Sequence, residues 1–269
     1  MKNLMIPALA LFLSAAAQAD DSPLWMRYCA ISPDGQTIAF SYQGDIYTVP
    51  SSGGKARQLT THPAHDTRPV WSPDGQRIAF ASNRSGNFDV FLMNKEGGEP
   101  KRLTTHSTNE YPTTFKDNGH ILYLANVLQD AKDIQFPGTR FMQVYEISTD
   151  GGRPDLYSSL YMENIALSKD GSKLLYNDYK GYEDPWRKHH QSSITRDIWL
   201  CTLGKDRSFQ KVTTFGGEDR NPVWAADGAS FYYLSEEKGS FNIFKKDLAG
   251  NNEKQITTHT TLSLIHISE

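Results

Sequence analysis

The residues that could perform hydrolytic or metal chemistry in this chain are its eight histidines together with its serines and carboxylates. A nucleophile elbow needs Gly-x-Ser-x-Gly, and a zinc peptidase helix needs His-Glu-x-x-His; neither pattern occurs. The histidines are scattered, at positions 62, 65, 106, 120, 189, 190, 259 and 266. The sequence therefore predicts no catalytic, cofactor-binding or metal-binding residue in this chain, and no cofactor.

Three of the histidines end a recurring Thr-Thr-His tripeptide, at His62, His106 and His259. Such histidines could ring one face and hold a metal. Because the tripeptide recurs with a longer repeat, we expect instead that its threonines cap loops and its histidines pack turns. Recurring Asp-Gly pairs likewise predict turns, since one Asp per turn lacks the several oxygens that calcium needs.

Residues 179–196 combine an aromatic side chain with charged ones, as protein-contact sites often do. This composition predicts a docking surface for a peptide or protein. The alternative is that Trp186 packs the segment onto its own repeat unit while the charges are solvated. The candidate docking residues are Glu183, Asp184, Trp186, Arg187, His189, His190 and, in a later loop, Arg220.

The elements that position these residues follow from a repeat. Residues 32–40, SPDGQTIAF, return 40 residues later at 72–80 as SPDGQRIAF, and weaker copies start at Lys116, Ser168 and Ala225. A period of this length is typical of propeller blades. The fold class is therefore predicted as all-β, a β-propeller of four-stranded antiparallel blades. About five blades are present, starting near residues 25, 68, 111, 162 and 220, and the propeller is expected to be incomplete.

Each unit is predicted to contain four strands, called A to D. In the second unit they cover residues 68–71, 77–81, 89–93 and 101–104, with turns at Pro-Asp-Gly and Gly-Gly. The C strands share an aromatic residue, which could form a ligand stripe, but its equivalence across units favours core packing. These residues are Tyr47, Phe91, Tyr145, Trp199 and Phe244.

Two units carry long insertions, residues 126–141 and 179–196, and long loops are usually functional or disordered. Both join strand B to strand C. In a four-stranded meander, these connections emerge on the same side as the D-to-A connections. The insertions are therefore expected to share a face with His62, His65, His106 and residues 218–221.

The repeats resemble the WD-related propellers of TolB-type periplasmic proteins and tricorn-like peptidases. Residues 181–190 (GYEDPWRKHH), 195–199 (TRDIW) and 217–224 (GEDRNPVW) resemble the bacterial tricorn-like serine peptidases in particular. The resemblance covers residues 20–260 and implies an N-terminal propeller that admits or docks peptides for a downstream PDZ-type and serine peptidase region. A TolB-like scaffold for protein–protein interaction is the alternative. The implied partners are peptides or the peptidase domain of the same chain, and homo-oligomerisation of the full-length protein is left open.

The remaining features concern export and the two ends of the 269-residue chain. Residues 1–19 follow the pattern of a signal peptide, which predicts an exported, periplasmic or extracellular protein with no membrane span after cleavage. The propeller is assigned to residues 20–261, and residues 262–269 (LSLIHISE) are expected to be a non-native tail. With a formal net charge of −3 and no basic run, nucleic acid is not an expected partner.

The chain has two cysteines, Cys29 and Cys201, each in a segment predicted as a strand. Their separation in the repeat makes a disulfide improbable. We expect both to be small buried residues.

Overall fold

The computed structural model describes residues 25–127, 142–181, 191–250 and 252–260. In these ranges the regular elements are β-strands, which form five sheets of four consecutive antiparallel strands. The predicted all-β propeller of four-stranded blades is therefore confirmed. Within the same ranges, no helix has the length and apolar character needed to cross a membrane.

Every blade runs from strand A to strand D in chain order. The first contains β1 (Arg27–Ile31), β2 (Thr37–Tyr42), β3 (Asp45–Pro50) and β4 (Arg57–Gln58). The second contains β5 (Asp66–Trp71), β6 (Arg77–Ser82), β7 (Asp89–Asn94) and β8 (Gly97–Arg102). The third contains β9 (Glu110–Asp117), β10 (His120–Ala125), β11 (Gln143–Ser148) and β12 (Asp155–Ser158). The fourth contains β13 (Met162–Leu167), β14 (Lys173–Asp178), β15 (Ile198–Thr202) and β16 (Ser208–Lys211). The fifth contains β17 (Asp219–Trp224), β18 (Ser230–Ser235), β19 (Asn242–Asp247) and β20 (Glu253–Gln255).

The A strands form the inner wall of the ring. Strand β1 lies against β5, β5 against β9, β9 against β13 and β13 against β17, whereas the D strands are largely exposed. Two tryptophans at the ends of A strands link neighbouring blades: the indole N–H of Trp71 donates to Ala30 O (3.1 Å) and that of Trp224 to Ala166 O (2.9 Å). Among the described residues, no comparable contact joins β17 to β1.

The core consists of layers of apolar side chains between successive blades. One such layer joins blades two and three through Val90, Leu103, Phe115 and Ile121, all nearly inaccessible to solvent. The aromatic residue of strand C stacks on an aromatic residue of strand B in the same blade. The stacked pairs are Phe40–Tyr47, Phe80–Phe91, Tyr123–Tyr145 and Tyr233–Phe244, with ring centroids 5.7 to 6.0 Å apart. The C-strand aromatics therefore pack the core, as predicted.

The Ser-x-Asp-Gly segments close the A-to-B turns without a ligand. In the second blade the hydroxyl of Ser72 donates to Asp74 (2.6 Å) and accepts from Arg77 N (2.9 Å), while Gln76 N donates to Asp74 (2.9 Å). The Gly75 amide donates to Ser72 O at a φ of +67°, a conformation that favours glycine. Because the side-chain oxygens are used inside the turn, these segments are turns and not calcium loops.

The D strands end earlier than predicted. In the second blade the prediction was residues 101–104, but β8 covers Gly97–Arg102, and the connection from β7 is shorter than expected. The backbone ladder between β7 and β8 stops because a side chain takes the place of a backbone acceptor. The Oγ1 atom of Thr104 accepts a hydrogen bond from Val90 N at 2.9 Å. The equivalent threonines in blades one, four and five accept from Ile46, Ile198 and Ile243 at 2.9 to 3.0 Å. The first threonine of each Thr-Thr pair therefore links strands C and D by a side-chain to backbone hydrogen bond.

The recurring histidines pack turns, as predicted. The Nδ1 atom of His62 accepts from Ala64 N at 3.0 Å, and that of His106 accepts from Thr108 N at 3.2 Å. No group of three or more histidine, cysteine or carboxylate side chains in the described ranges is arranged to hold a metal ion.

The two cysteines differ in environment, and both are free thiols. Cys201 is 2% exposed, as expected for a core residue. The expected burial of Cys29 was wrong: it is exposed on β1, the A strand of the first blade. The cause is that its side of the first blade has no packed neighbour among the described residues, and Ile31 on the same strand is 60% exposed.

Candidate docking face

The B-to-C and D-to-A connections lie together at one end of the ring. In blade one the turn carbonyl of Gly44 accepts from Asp66 N, the first residue of β5, at 2.7 Å. In blade two the amide of Asn87 donates to His106 O (2.9 Å) and Thr108 O (2.6 Å) of the next connection. We call the surface formed by these two sets of connections the docking face. Both insertions leave the blades on this face.

Six of the seven candidate docking residues lie outside the described residues: Glu183, Asp184, Trp186, Arg187, His189 and His190. Most of the first insertion, residues 128–141, lies outside them as well. The described flanks of the second insertion, by contrast, show in detail how it is attached to the blades.

Lys180 joins the outgoing and returning arms of the second insertion. Its Nζ lies 2.6 Å from Asp197 Oδ2 and 2.8 Å from Thr195 O on the returning arm, and 3.3 Å from Asp178 Oδ2 at the end of β14. Partial burial acts to lower the pKa of Lys180, but the carboxylates of Asp197 and Asp178 outweigh it and raise that pKa. Lys180 therefore remains a cation and holds the base of the insertion closed.

Arg196 fixes the returning arm to two different blades. Its Nε donates to Glu163 on β13 and its Nη1 to Glu218 before β17, both at 2.9 Å. Its guanidinium also lies over the ring of Tyr179 on the outgoing arm, 5.6 Å from the centroid. The Arg196 side chain is 13% exposed, and the two carboxylates raise its pKa against the effect of burial. This cluster ties the two described arms of the insertion to each other and to blades four and five.

Arg220, the seventh candidate, lies within blade five. It is 8% exposed, and its guanidinium lies over the ring of Phe241, 4.4 Å from the centroid. The backbone beside it is held by Asn177 of blade four, whose Nδ2 donates to Asp219 O at 2.8 Å and whose Oδ1 accepts from Asn221 N at 2.9 Å. In this structure Arg220 packs the blade and presents little surface to a partner.

Two buried acidic residues lie at the docking face, each at the first residue of an A strand. Glu110 starts β9 and Asp219 starts β17, and each is 1% exposed. Burial raises the pKa of each to about 7, and a neighbouring carboxylate, Asp89 for Glu110 and Asp197 for Asp219, adds to the rise. Both carboxyl groups therefore hold their protons to a higher pH than exposed carboxyl groups do.

Sequence reasoning did not identify Lys180, Arg196 or Glu163 as functional anchors. Arg196 lies in the segment TRDIW, and Lys180 lies near the start of the insertion 179–196. A charged residue at each boundary of the insertion was the signal that could have indicated them. Their partners lie on other strands and in other blades, which spacing along the chain does not reveal.

Comparisons with known proteins fit this architecture. Residues 23–269 match the family model described as the tricorn protease N-terminal beta propeller domain. A tricorn protease homolog of Saccharolobus solfataricus is 22% identical over 243 residues, covering 87% of this chain and 21% of the relative. The crystal structure of the tricorn protease superposes with a TM-score of 0.70 at 20% identity, covering 90% of this chain and 23% of that one. The structure of a putative TolB from Agrobacterium tumefaciens superposes with a TM-score of 0.67 at 18% identity, covering 87% and 81%.

The chain thus spans about a fifth of the length of the curated tricorn relative. The family model, in contrast, covers all five blades described above. The chain belongs to the family of tricorn protease N-terminal β-propeller domains.

Proposed function

We propose that this chain is the N-terminal propeller region of an exported tricorn-like serine peptidase, and that it admits or docks peptides for a downstream catalytic domain. The observation that supports this most strongly is the match to a tricorn protease homolog over 87% of this chain but only 21% of the relative. Peptide-bond hydrolysis by a serine nucleophile would then belong to residues beyond the aligned region.

The docking face is the proposed contact surface for the peptide or for the catalytic domain. Its base is held by Lys180, which joins the two arms of the insertion within blade four, and by Arg196, which cross-links blades four and five. An insertion on a rigid base pays less conformational entropy when it binds a partner than a freely hinged one does. The aromatic and charged residues of the insertion supply the contacts in this proposal.

A TolB-like scaffold is the second candidate. It is supported by the superposition on a putative TolB, of which this chain covers 81%. In that case the propeller would bind other proteins and would have no peptidase attached. Export, which residues 1–19 predict, is common to both proposals.

The first experiment is to read the uninterrupted gene downstream of this segment. A reading frame that continues into PDZ-type and serine peptidase segments supports the peptidase, and a stop soon after a completed propeller supports the scaffold.

The second experiment tests docking in the resulting full-length protein. The Trp186→Ala/Arg187→Ala variant should lower kcat/KM for peptides or weaken domain association. Lys169→Ala is the matched control, since Lys169 is exposed in the A-to-B turn at the opposite end of blade four. Unchanged turnover and association in the Trp186/Arg187 variant would remove the docking role while leaving the family assignment in place.

A further inference from the structure

All five A strands of the inner wall are irregular in register, and four of them share the same β-bulge with a positive φ. In each, two residues oppose a single residue of strand B, which defines a β-bulge. The first bulged residue has a positive φ: 53° at Tyr28, 55° at Arg68, 49° at Asn164 and 55° at Asn221. The bulge is therefore part of the repeat.

The residues at these bulges differ in how well they tolerate a positive φ. Asparagine enters the left-handed region readily, so Asn164 and Asn221 suit their positions. Tyrosine and arginine do so rarely, and strained backbone at such residues is concentrated in binding and catalytic sites. Blades one and two therefore keep two unfavourable residues at positions where asparagine serves elsewhere in the same molecule.

Arg68 and its two neighbours form one stack across three blades. The guanidinium carbon lies over the ring of Tyr28 from blade one, 5.0 Å from the centroid, and over that of Tyr111 from blade three, at 4.4 Å. The ring of Tyr111 is supported in turn by Phe88, with centroids 5.4 Å apart. Cation–π contacts of this kind fix the orientation of a guanidinium.

The N–H edge of that guanidinium is unused within the described part of the chain. Arginine offers five N–H donors in one plane, yet no hydrogen bond or ion pair to a described residue involves the Arg68 side chain. Arg84 in the second blade, which also has cation–π contacts, is instead paired with Asp66 at 2.8 Å. Arg68 is half-buried on β5, one of the A strands that form the inner wall.

We propose that Arg68, clamped between Tyr28 and Tyr111, is a binding site for one carboxylate group of a polypeptide that enters the central channel. A guanidinium whose faces are covered by rings can bind only through its edge, and the planar fork of that edge matches a carboxylate in a bidentate contact. The carboxylate can come from an acidic side chain or from a chain terminus. The site lies on the inner wall and borders the docking face at Phe88. The proposal does not depend on a downstream peptidase.

The test measures binding of short peptides to the full chain by isothermal titration calorimetry. One Ala/Gly pentapeptide with a blocked N-terminus is used in four forms: with a free C-terminus, with a C-terminal amide, and amidated with either Glu or Gln at the centre. At least one carboxylate form should bind about tenfold or more tightly than its neutral counterpart, and binding should weaken with added salt. The form that binds identifies the source of the carboxylate.

The variants separate binding from folding. Arg68→Asn places at this bulge the residue that blades four and five already use, so the fold should be kept and carboxylate binding lost. Arg68→Lys should bind at least about tenfold more weakly, because an ammonium lacks the fork. Tyr111→Phe should retain binding, whereas Tyr111→Leu should weaken it. Arg57→Gln, which removes an exposed arginine of the outer strand β4, is the control and should bind as the wild type does.

Three results would overturn the proposal. They are equal binding of neutral and carboxylate peptides, undiminished binding by a folded Arg68→Asn variant, and the absence of binding by any of the four forms. Binding of inorganic phosphate with no binding of the peptides would assign the site to a different ligand and also count against it.

Discussion

Replacing Glu110 with glutamine should make the stability of the propeller less dependent on pH. Glu110 is 1% exposed, and Asp89 beside it is fully buried and paired with Arg102 at 2.8 Å. Burial, reinforced by the charge of Asp89, raises the pKa of Glu110 from 4.5 to about 7. The folded protein therefore holds this proton more tightly than the unfolded chain does.

The sign of the effect follows from that difference. Below about pH 4.5 the carboxyl group is protonated in both states, and the folded state carries no penalty. As the pH rises from 4.5 to 7, only the unfolded chain gains by releasing the proton, so the free energy of unfolding falls. Above about pH 7 the folded state contains a buried carboxylate, and the loss reaches its full size. A shift from 4.5 to about 7 corresponds to about 3 kcal/mol, since each pKa unit is worth about 1.4 kcal/mol.

Urea unfolding followed by tryptophan fluorescence, at pH 5 and pH 8.5, measures this directly. About 1 kcal/mol of the loss is already present at pH 5, so Glu110→Gln should reduce the fall in stability between the two pH values by about 2 kcal/mol relative to wild type. Glu96→Gln is the matched control, because Glu96 is exposed, and it should leave the fall unchanged. Titrating groups that do not interact with Glu110 are common to the three proteins and cancel in the comparison. An unaltered pH dependence in Glu110→Gln would refute the assignment of a buried, proton-holding carboxyl group.

Three further changes test other parts of the structure. Thr104→Val leaves a buried backbone N–H without its acceptor and should cost about 1 to 3 kcal/mol in urea unfolding, whereas the exposed neighbour change Thr105→Val should cost less than about 0.5 kcal/mol. Arg196→Met leaves the carboxylates of Glu163 and Glu218 without their cation, so the free energy of unfolding should fall by about 3 kcal/mol and Tm by about 6 to 12 °C. The control Arg57→Met, at an exposed ion pair, should lower Tm by no more than about 4 °C. Cys29 is exposed and should react with a thiol reagent in the folded protein, and the second thiol should react only after denaturation; two reactive thiols in the native state would contradict the described core.

The repeat in the sequence predicted most of the fold because its signals are local. The turn at Ser72-Pro73-Asp74-Gly75 is built from bonds within six residues, and the alternation of strands between such turns needs no distant partner. The D strands were misplaced for a related reason. Thr-Thr looks like strand sequence, but the first hydroxyl takes over an acceptor role from the backbone, so the ladder ends where β-propensity remains high.

Contacts between blades could not be predicted in the same way. Arg196 and Glu218 are 22 residues apart, and Arg68 meets rings contributed by the blades on both sides. Each contact depends on the rotation from one blade to the next and on a bulge that alters side-chain direction, and neither is encoded at fixed spacing. The exposure of Cys29 depends likewise on what packs against the first blade.

The start of strand A shows how a single repeat position can hold buried acids with different ion-pair partners. Asp66, Glu110 and Asp219 occupy it in blades two, three and five, and all three are at most 1% exposed. Asp66 has its own cation, because Arg84 donates to both of its oxygens at 2.8 and 3.0 Å. At the other two junctions the cations pair instead with an acid at the start of strand C in the preceding blade. Arg102 pairs with Asp89, and Lys180 and Lys211 pair with Asp197. The repeat therefore places a buried acid at three of the four junctions between the described blades. The two junctions whose acid has no direct cation, at Glu110 and Asp219, are the ones that should loosen first as the pH rises.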